Sequence, residues 1–268
     1  MSEEKMKITT LGTRGSISVE GKAFWEFGGA TTCVRIEAGK EEIYLDAGSG
    51  IVGAVPKADS NLSILVTHPH LDHMIGLPFF KGMAEKDRLI DIYMKKRNGL
   101  GVREVLRYLY TPPLWPVGVF DYPANVRTPN LWDDFSIGEV QVSVMEGVHP
   151  GGVSTYRLTF HRTSVVFATD FEHQDEGKIS ELIRFSKDAD LLLFDGQYTE
   201  EEYGSHKGFG HSTIKRGIKV AKEANVSSLW ITHHDPGHTD EILLELEREA
   251  KQLFEGVRFA RCGDEVIL

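Results

Sequence analysis

Residues 68 to 73 read His-Pro-His-Leu-Asp-His, three imidazoles and a carboxylate within six positions. In a chain of 268 residues with 11 histidines, an accidental H-x-H-x-D-H match is expected on the order of once in a thousand such chains. Accident is therefore a poor explanation, and so many close imidazoles ordinarily need a cation to hold them together. The apolar run Leu62 to Val66 precedes the cluster, which puts the donors where a strand ends, the usual place for functional loops in layered α/β folds. His68 and His70 are spaced to converge on one ion. Asp72 and His73, entering the next segment, are spaced to face a second ion a few ångströms away.

The remainder of the chain supplies a strand-rich frame. Short runs rich in β-branched residues recur as "MKITTLG", "TCVRIEA", "EIYLDAG", "LSILVTH", "LIDIYM", "VQVSVME", "TYRLTFH", "SVVFATD", "DLLLFDG", "SLWITHH", "VRFARC" and "EVIL", each bounded by turn-forming or charged residues. Helical spacing appears in "STIKRGIKVAKEAN", with Ile214, Ile218 and Ala221 on one stripe, Ser212 as N-cap and Asn225 near the end. It appears again in "TDEILLELEREAKQLFEG", where Ile242, Leu243, Leu246 and Leu253 form the expected apolar face and Gly256 the stop. Weaker helical patterns cover "VREVLRYLY" and "KISELIRFSKDA". Strands dominate the first half and alternate with helices in the second, which suits an α/β layered sandwich. No Ser/Gly-rich linker divides the chain, so residues 1–268 are expected to form one domain. Residues 111–132 stand apart, holding five of the ten prolines with Trp115, Phe120, Tyr122 and Trp132. They read either as a loop flanking a pocket or as a proline-stiffened connector packed on its own aromatics.

Composition narrows the partners. No uncharged apolar run approaches the roughly 18 to 20 residues of a membrane helix, and the first residues lack the apolar core of a secretion signal. A cytoplasmic protein with no membrane partner is the expectation. Cys33 and Cys262 are too few and too far apart for a disulfide framework and are expected to be reduced thiols. A formal net charge of −10 disfavours a long polyanionic nucleic acid while leaving room for a small anionic substrate. Two ions need further ligands, and His149, Asp170 and His233 each follow an apolar run, at strand-end positions. Asp46 also ends such a run, where the following Ala-Gly-Ser-Gly allows a turn-forming role. His161, His173 and His238, taken singly, read as ordinary satisfied histidines.

The ordered series "THPHLDH", "GVHPGG", "FATDFEH", "GFGHST" and "WITHHDP" resembles the metallo-β-lactamase superfamily. The opening "LGTRGS", "GGATTC" and "YLDAGSG" extend the similarity over nearly the whole chain, toward the branch of ribonuclease Z and phosphodiesterase-like hydrolases. The resemblance implies a four-layer αββα sandwich and a binuclear centre of two divalent ions, Zn²⁺ first, with Mn²⁺ or Fe²⁺ as alternatives. It implies that His68, His70 and His149 hold one ion, that Asp72, His73 and His233 hold the other, and that Asp170 bridges them. His234 competes with His233 for its role, and the position directly after "WIT" favours His233. Asp46 resembles the family's aspartate beneath the site.

The motif "GFGHST" points the resemblance toward phosphodiesters. His211 precedes the helix expected from Ser212, whose free amides and positive dipole would draw an anion. In the similar enzymes this histidine assists the leaving group, oriented by an acid that Asp195 resembles. With Asp72, these two form the expected catalytic set for hydrolysis at phosphorus by hydroxide generated at the metal pair. The long basic arm by which bacterial ribonuclease Z grips tRNA is not found, and Ala30 stands where relatives often carry Asn. A small or cyclic phosphodiester is thus the expected substrate, with a homodimer as the oligomer suggested by related enzymes. The alternatives are a lactone, thioester or other carbonyl substrate on the same site, or a non-catalytic metal-dependent nucleotide-binding protein. A redox di-iron role is disfavoured because the full H-x-H-x-D-H set is retained.

Overall fold

The computed structural model describes residues 5–131 and 133–268. Its first sheet places β1 (Met6–Gly12), β2 (Cys33–Ala38), β3 (Glu41–Leu45), β4 (Asn61–Leu65), β5 (Leu89–Tyr93) and β6 (Asn125–Arg127) side by side in that order. The second sheet runs from β7 (Asp134–Ile137) through β8 (Val140–Gly147), β9 (Val153–Phe160), β10 (Thr163–Ala168), β11 (Leu191–Asp195) and β12 (Ser228–Thr232) to β13 (Val257–Phe259). The terminal strand β14 (Glu265–Ile267) returns to the first sheet and pairs antiparallel with β1. Each sheet is antiparallel at one edge and parallel at the other, β3 to β6 in the first and β10 to β13 in the second.

Three apolar layers follow from the period-two geometry of these strands. Between the sheets lie Ile36, Ile43 and Leu65 from one side and Leu158, Phe167, Leu191 and Leu193 from the other. The alternate residues face outward: Leu192 and Phe194 of β11 pack under the helices α2 (Glu176–Phe185), α4 (Ile214–Glu223) and α5 (Asp240–Leu253). On the opposite side Leu62 and Ile64 of β4 pack under α1 (Val102–Leu109) and its neighbouring turns. A strand such as Leu191–Asp195 is covered on both faces, which is why its sequence is continuously apolar rather than alternating. The architecture is the expected α/β sandwich, two sheets inside with helices outside. No helix among the described residues is long and apolar enough to cross a membrane.

Every apolar run quoted above contains a strand, and all four helical patterns contain helices. Some details differ from expectation. Thr213, not Ser212, caps α4, its hydroxyl accepting the Arg216 amide, while Ser212 Oγ turns inward to His173. On α5 the buried positions are Leu243, Glu247 and Ala250, whereas Ile242 and Leu253 are 41% and 48% exposed. That helix stops at Leu253, before Gly256, because Phe254 turns extended. Within residues 111–131, Trp115, Phe120 and Tyr122 pack against the outer core of the first sheet, and Trp115 Nε1 donates to Tyr122. The same stretch also flanks a hollow of about 600 Å³ between Tyr108 and Phe120. Trp132 lies outside the described residues.

Candidate metal centre

The parallel strands β3 and β4 of one sheet and β10, β11 and β12 of the other bring their C-terminal ends to one edge of the sandwich. Asp46 follows β3, His68 follows β4, Asp170 follows β10, Asp195 ends β11 and His233 follows β12. Asp46, Asp170 and His233 leave their strands in the left-handed region, with φ of 61°, 54° and 61°. Each break stops the ladder and turns one functional side chain toward the gap between the sheets.

Four of the five rings are aimed from behind. Asp46, fully buried, accepts His73 Nδ1 at 2.7 Å together with the Thr67 amide at 2.7 Å and the Thr67 hydroxyl at 2.9 Å. His73 therefore turns Nε2 inward. Thr67 Oγ1 stands 3.1 Å from His68 Nδ1, with the same effect on His68. His149 Nδ1 donates to the Gly210 carbonyl at 2.8 Å, and His233 Nδ1 donates to Gln197 Oε1 at 2.9 Å. Asp72 is fixed by the Ser16 amide, 2.8 Å from its Oδ2.

The inward atoms form two donor sets that share one carboxylate. His68, His70 and His149 offer nitrogens within 4.8 Å of one another, as do Asp72, His73 and His233 with their oxygen and nitrogens. Asp170 Oδ2 stands 3.2 Å from His73 Nε2 and 3.3 Å from His233 Nε2, and Asp72 Oδ2 repeats these distances. Asp170 Oδ1 faces the other set, 3.9 Å from His68 Nε2 and 3.7 Å from His149 Nε2. Nε2 of His68, His73 and His233 is buried without a hydrogen-bond partner. An unpaired buried polar atom costs about 1–3 kcal/mol, and divalent cations between the rings would engage all three. The mixed imidazole and carboxylate donors fit Zn²⁺, Mn²⁺ or Fe²⁺.

Electrostatics agrees with this arrangement at the first donor set, whereas His73, which burial would lower, is held above its ordinary pKa by Asp72, Asp170 and Asp46. Burial holds the His68, His70 and His149 imidazoles below their ordinary pKa, leaving lone pairs free for a cation. Burial alone would raise the Asp72 carboxyl, but His73 and His233 hold it well below the usual carboxylate range. His234 is no competitor for His233 in this geometry. Its Nε2 meets the Ala260 carbonyl at 2.9 Å, and burial pushes its pKa down to about 3.

Asp195 and His211 complete the cluster. Asp195 Oδ2 accepts His211 Nδ1 at 2.9 Å, and His211 Nδ1 lies 3.7 Å from Asp170 Oδ1. Burial would lower the His211 pKa, but the charge of Asp195 and the hydrogen bond to it prevail and lift it to about 9. His211, His70, Asp72 and Asp170 open onto a cleft of about 530 Å³ with apolar walls at Pro69, Leu71 and Leu109. The helix start does not contribute in the expected way: the Ile214 amide is taken by the Tyr198 carbonyl and the Arg216 amide by Thr213.

All ten residues singled out from the sequence thus converge on this edge, Asp46 behind His73 and the rest around the gap. Gln197, Thr67 and Ser16 were missed. Each acts on another side chain rather than on the centre, and only the "DGQY", "THPH" and "LGTRGS" contexts hinted at them. Two glycines are needed for clearance: a Cβ at Gly15 would lie 2.3 Å from His233 Nδ1, and one at Gly210, with φ of 96°, 2.0 Å from His149 Nδ1.

Two mixed sheets, outer helices and a shared His/Asp edge define a metal-binding hydrolase of the metallo-β-lactamase fold. The family model described as "Beta-lactamase superfamily domain" matches residues 42–234, and the chain belongs to this superfamily. It is 24% identical over 267 residues to the probable metallo-hydrolase YhfI of Bacillus subtilis, covering 96% of this chain and 98% of that protein. It is 22% identical over 299 residues to a ribonuclease Z of Haloarcula marismortui, covering 94% and 93%. The YhfI crystal structure superposes with a TM-score of 0.76 at 21% identity, covering 99% of this chain and 100% of that one. A diphosphatase from the PhnP family gives a TM-score of 0.72 at 16% identity, covering 97% of each.

Proposed function

We propose that the protein is a binuclear metal-dependent phosphodiesterase acting on a small or cyclic phosphodiester. The observation that carries this reading is the split carboxylate of Asp170, one oxygen toward each donor set, with His211 on Asp195 beside it. In this reading His68, His70 and His149 hold one ion, and Asp72, His73 and His233 the other. When bound, such ions lower the pKa of water and offset charge building on the equatorial phosphoryl oxygens.

The remaining work falls to the chain itself. Asp46, Thr67, Gln197 and the Gly210 carbonyl orient the four rings they touch, so no reorganisation is needed as the substrate arrives. Asp195 keeps His211 protonated and pointed, ready to give a proton or hydrogen bond to the departing oxygen, worth roughly 10²- to 10⁴-fold. The cleft beside His211 has room for a small ester group, and its lining residues include no lysine or arginine. That lining and the net charge of −10 support a small substrate over a long nucleic acid. The relatives named above include both a ribonuclease and a diphosphatase, which supports chemistry at phosphorus.

The test is hydrolysis of bis(p-nitrophenyl) phosphate by protein loaded separately with Zn²⁺ and Mn²⁺. Turnover that needs metal and disappears in Asp170→Ala supports the proposal, as does a loss of about a hundredfold or more in His211→Ala. A protein shown to carry two ions that cleaves no phosphodiester would overturn it in favour of a carbonyl substrate, for which the apolar walls of the cleft would be suited.

A further inference from the structure

The segment that supplies Asp170 continues as Phe171-Glu172-His173, and its next two polar side chains leave the centre for the loop between α3 (Glu200–His206) and α4. Glu172 is 3% exposed. Its Oε1 accepts the Gly208 amide at 2.6 Å and the Tyr203 hydroxyl at 3.2 Å, and its Oε2 accepts the Gly210 amide at 3.1 Å. Its own amide donates to the Val148 carbonyl at 2.8 Å, next to His149. His173 Nδ1 stands 2.8 Å from Ser212 Oγ, and the His173 ring lies 4.1 Å from that of Tyr203. His211 is therefore bracketed, with Gly210 before it tied to Glu172 and Ser212 after it tied to His173.

We propose that Glu172, assisted by His173, is a positioning residue that holds the 208–212 loop so that His149 and His211 keep register with the two donor sets. The loop is open at its tip, where Gly208 is exposed and Phe209 is 59% exposed, and is otherwise held by Asp195 through His211 and by the Tyr198 amide through the Ser212 carbonyl. It nevertheless carries two groups the centre depends on, the His211 ring and the Gly210 carbonyl that aims His149. A buried carboxylate accepting two backbone amides makes charge-assisted bonds of roughly twice the ordinary strength. The Gly210 carbonyl lies 2.8 Å from His149 Nδ1, and a Cβ at Gly210 would lie 2.0 Å from that nitrogen, so backbone and ring are in direct contact. The segment after β10 thus connects three parts of the centre: the shared carboxylate, the ligand after β8 and the histidine beside the cleft.

Three measurements test this, and only the last rests on the reaction proposed above. In the metal-loaded wild type, the Gly208 and Gly210 amides should exchange with deuterium at least about tenfold more slowly than free loop amides. Free exchange at both would overturn the clamp without any variant. In Glu172→Gln, which offers one acceptor oxygen in place of two, retention of one of the two ions against a chelator should weaken about 10- to 100-fold. The third compares methyl p-nitrophenyl phosphate with methyl phenyl phosphate, whose leaving group needs more help. If Glu172 acts through His211, the variant should lose about tenfold more on the phenyl ester.

A folded Glu172→Gln that keeps both ions and slows both esters equally would reduce Glu172 to a structural role and overturn the proposal. Should Glu172→Gln fail to fold, His173→Phe, which keeps a ring and loses the Ser212 contact, is expected to show the same two signatures at smaller amplitude. Its matching the wild type in both would equally overturn it. A wild type inactive on either ester would refute the reaction, and the exchange and ion-retention readings would still decide the clamp.

Discussion

Removing the metals should destabilise the fold by an amount the structure allows to be worked out. Three imidazole nitrogens, Nε2 of His68, His73 and His233, are buried without a hydrogen-bond partner among the described residues, the last two facing carboxylate oxygens at 3.2–3.3 Å. Taking the low figure of about 1 kcal/mol for each such atom gives about 3 kcal/mol. Free ion at about a hundred times its dissociation constant supplies a similar stabilisation by mass action. At about 2–4 °C of melting temperature per kcal/mol for a chain of about this size, chelation should lower the melting temperature by about 6–12 °C. The assay is calorimetry on loaded protein, on the same protein stripped by a chelator and checked by elemental analysis, and on stripped protein given Zn²⁺ again. Recovery on reloading separates ion loss from damage. Stripped protein that melts within about 2 °C of the loaded form would refute the reasoning, because the orphaned nitrogens would then cost nothing that a cation relieves.

Three further outcomes are expected. Gly15→Ala drives a Cβ to 2.3 Å from His233 Nδ1, so the variant should stay folded and bind fewer ions per chain, read by elemental analysis after dialysis. Phe167→Ala opens a hole between the sheets, where Phe167 is fully buried, and should cost about 3–5 kcal/mol in urea denaturation, with bound ions released at lower urea than the main unfolding transition. Burial alone would raise the Glu247 carboxyl, but Arg261 and the Phe259 amide hold its pKa below the usual value. A depressed carboxyl stabilises the fold above its unfolded pKa and loses that contribution as pH falls through its folded pKa. The stability difference between wild type and Glu247→Gln should therefore shrink on acidification from neutrality, and a difference that grew instead would reverse the sign of the argument.

The strands and the donor cluster were legible because both depend on local pattern: runs such as "DLLLF" report burial on two faces, and "HPHLDH" gathers its donors within six residues. The missed elements lack such signals. The edge strands Asn125–Arg127 and Asp134–Ile137 are short and partly polar; the first pairs with β5, far back in the sequence, and the second is the outer arm of a tight hairpin with β8. The helix Glu200–His206 did carry a sign, a capping box between Thr199 and Glu202, inside a stretch with too little apolar periodicity to attract notice. On α5, Glu247 occupies a position that hydropathy assigns to the surface because Arg261, fourteen residues later, comes back to meet it. Gln197 and Glu172 escaped for a related reason. Each acts through a partner far along the chain, His233 and the 208–212 loop, and no spacing rule connects them.

The left-handed turns at Asp46, Asp170 and His233 set the requirements of chemistry against those of folding. Each is a side-chain-bearing residue in backbone that glycine adopts freely, at an expense of about 1 kcal/mol or more apiece. Redesign that ranked substitutions by backbone comfort alone would favour glycine at all three places and would strip the edge of the carboxylate between the two donor sets, one imidazole donor and the support of another. The two-sheet core must therefore hold a reserve of stability that ordinary thermal tolerance does not require. Mutations deep between the sheets and far from the cleft can deplete that reserve, and the first symptom would be three turns relaxing out of shape while most of the fold still stands.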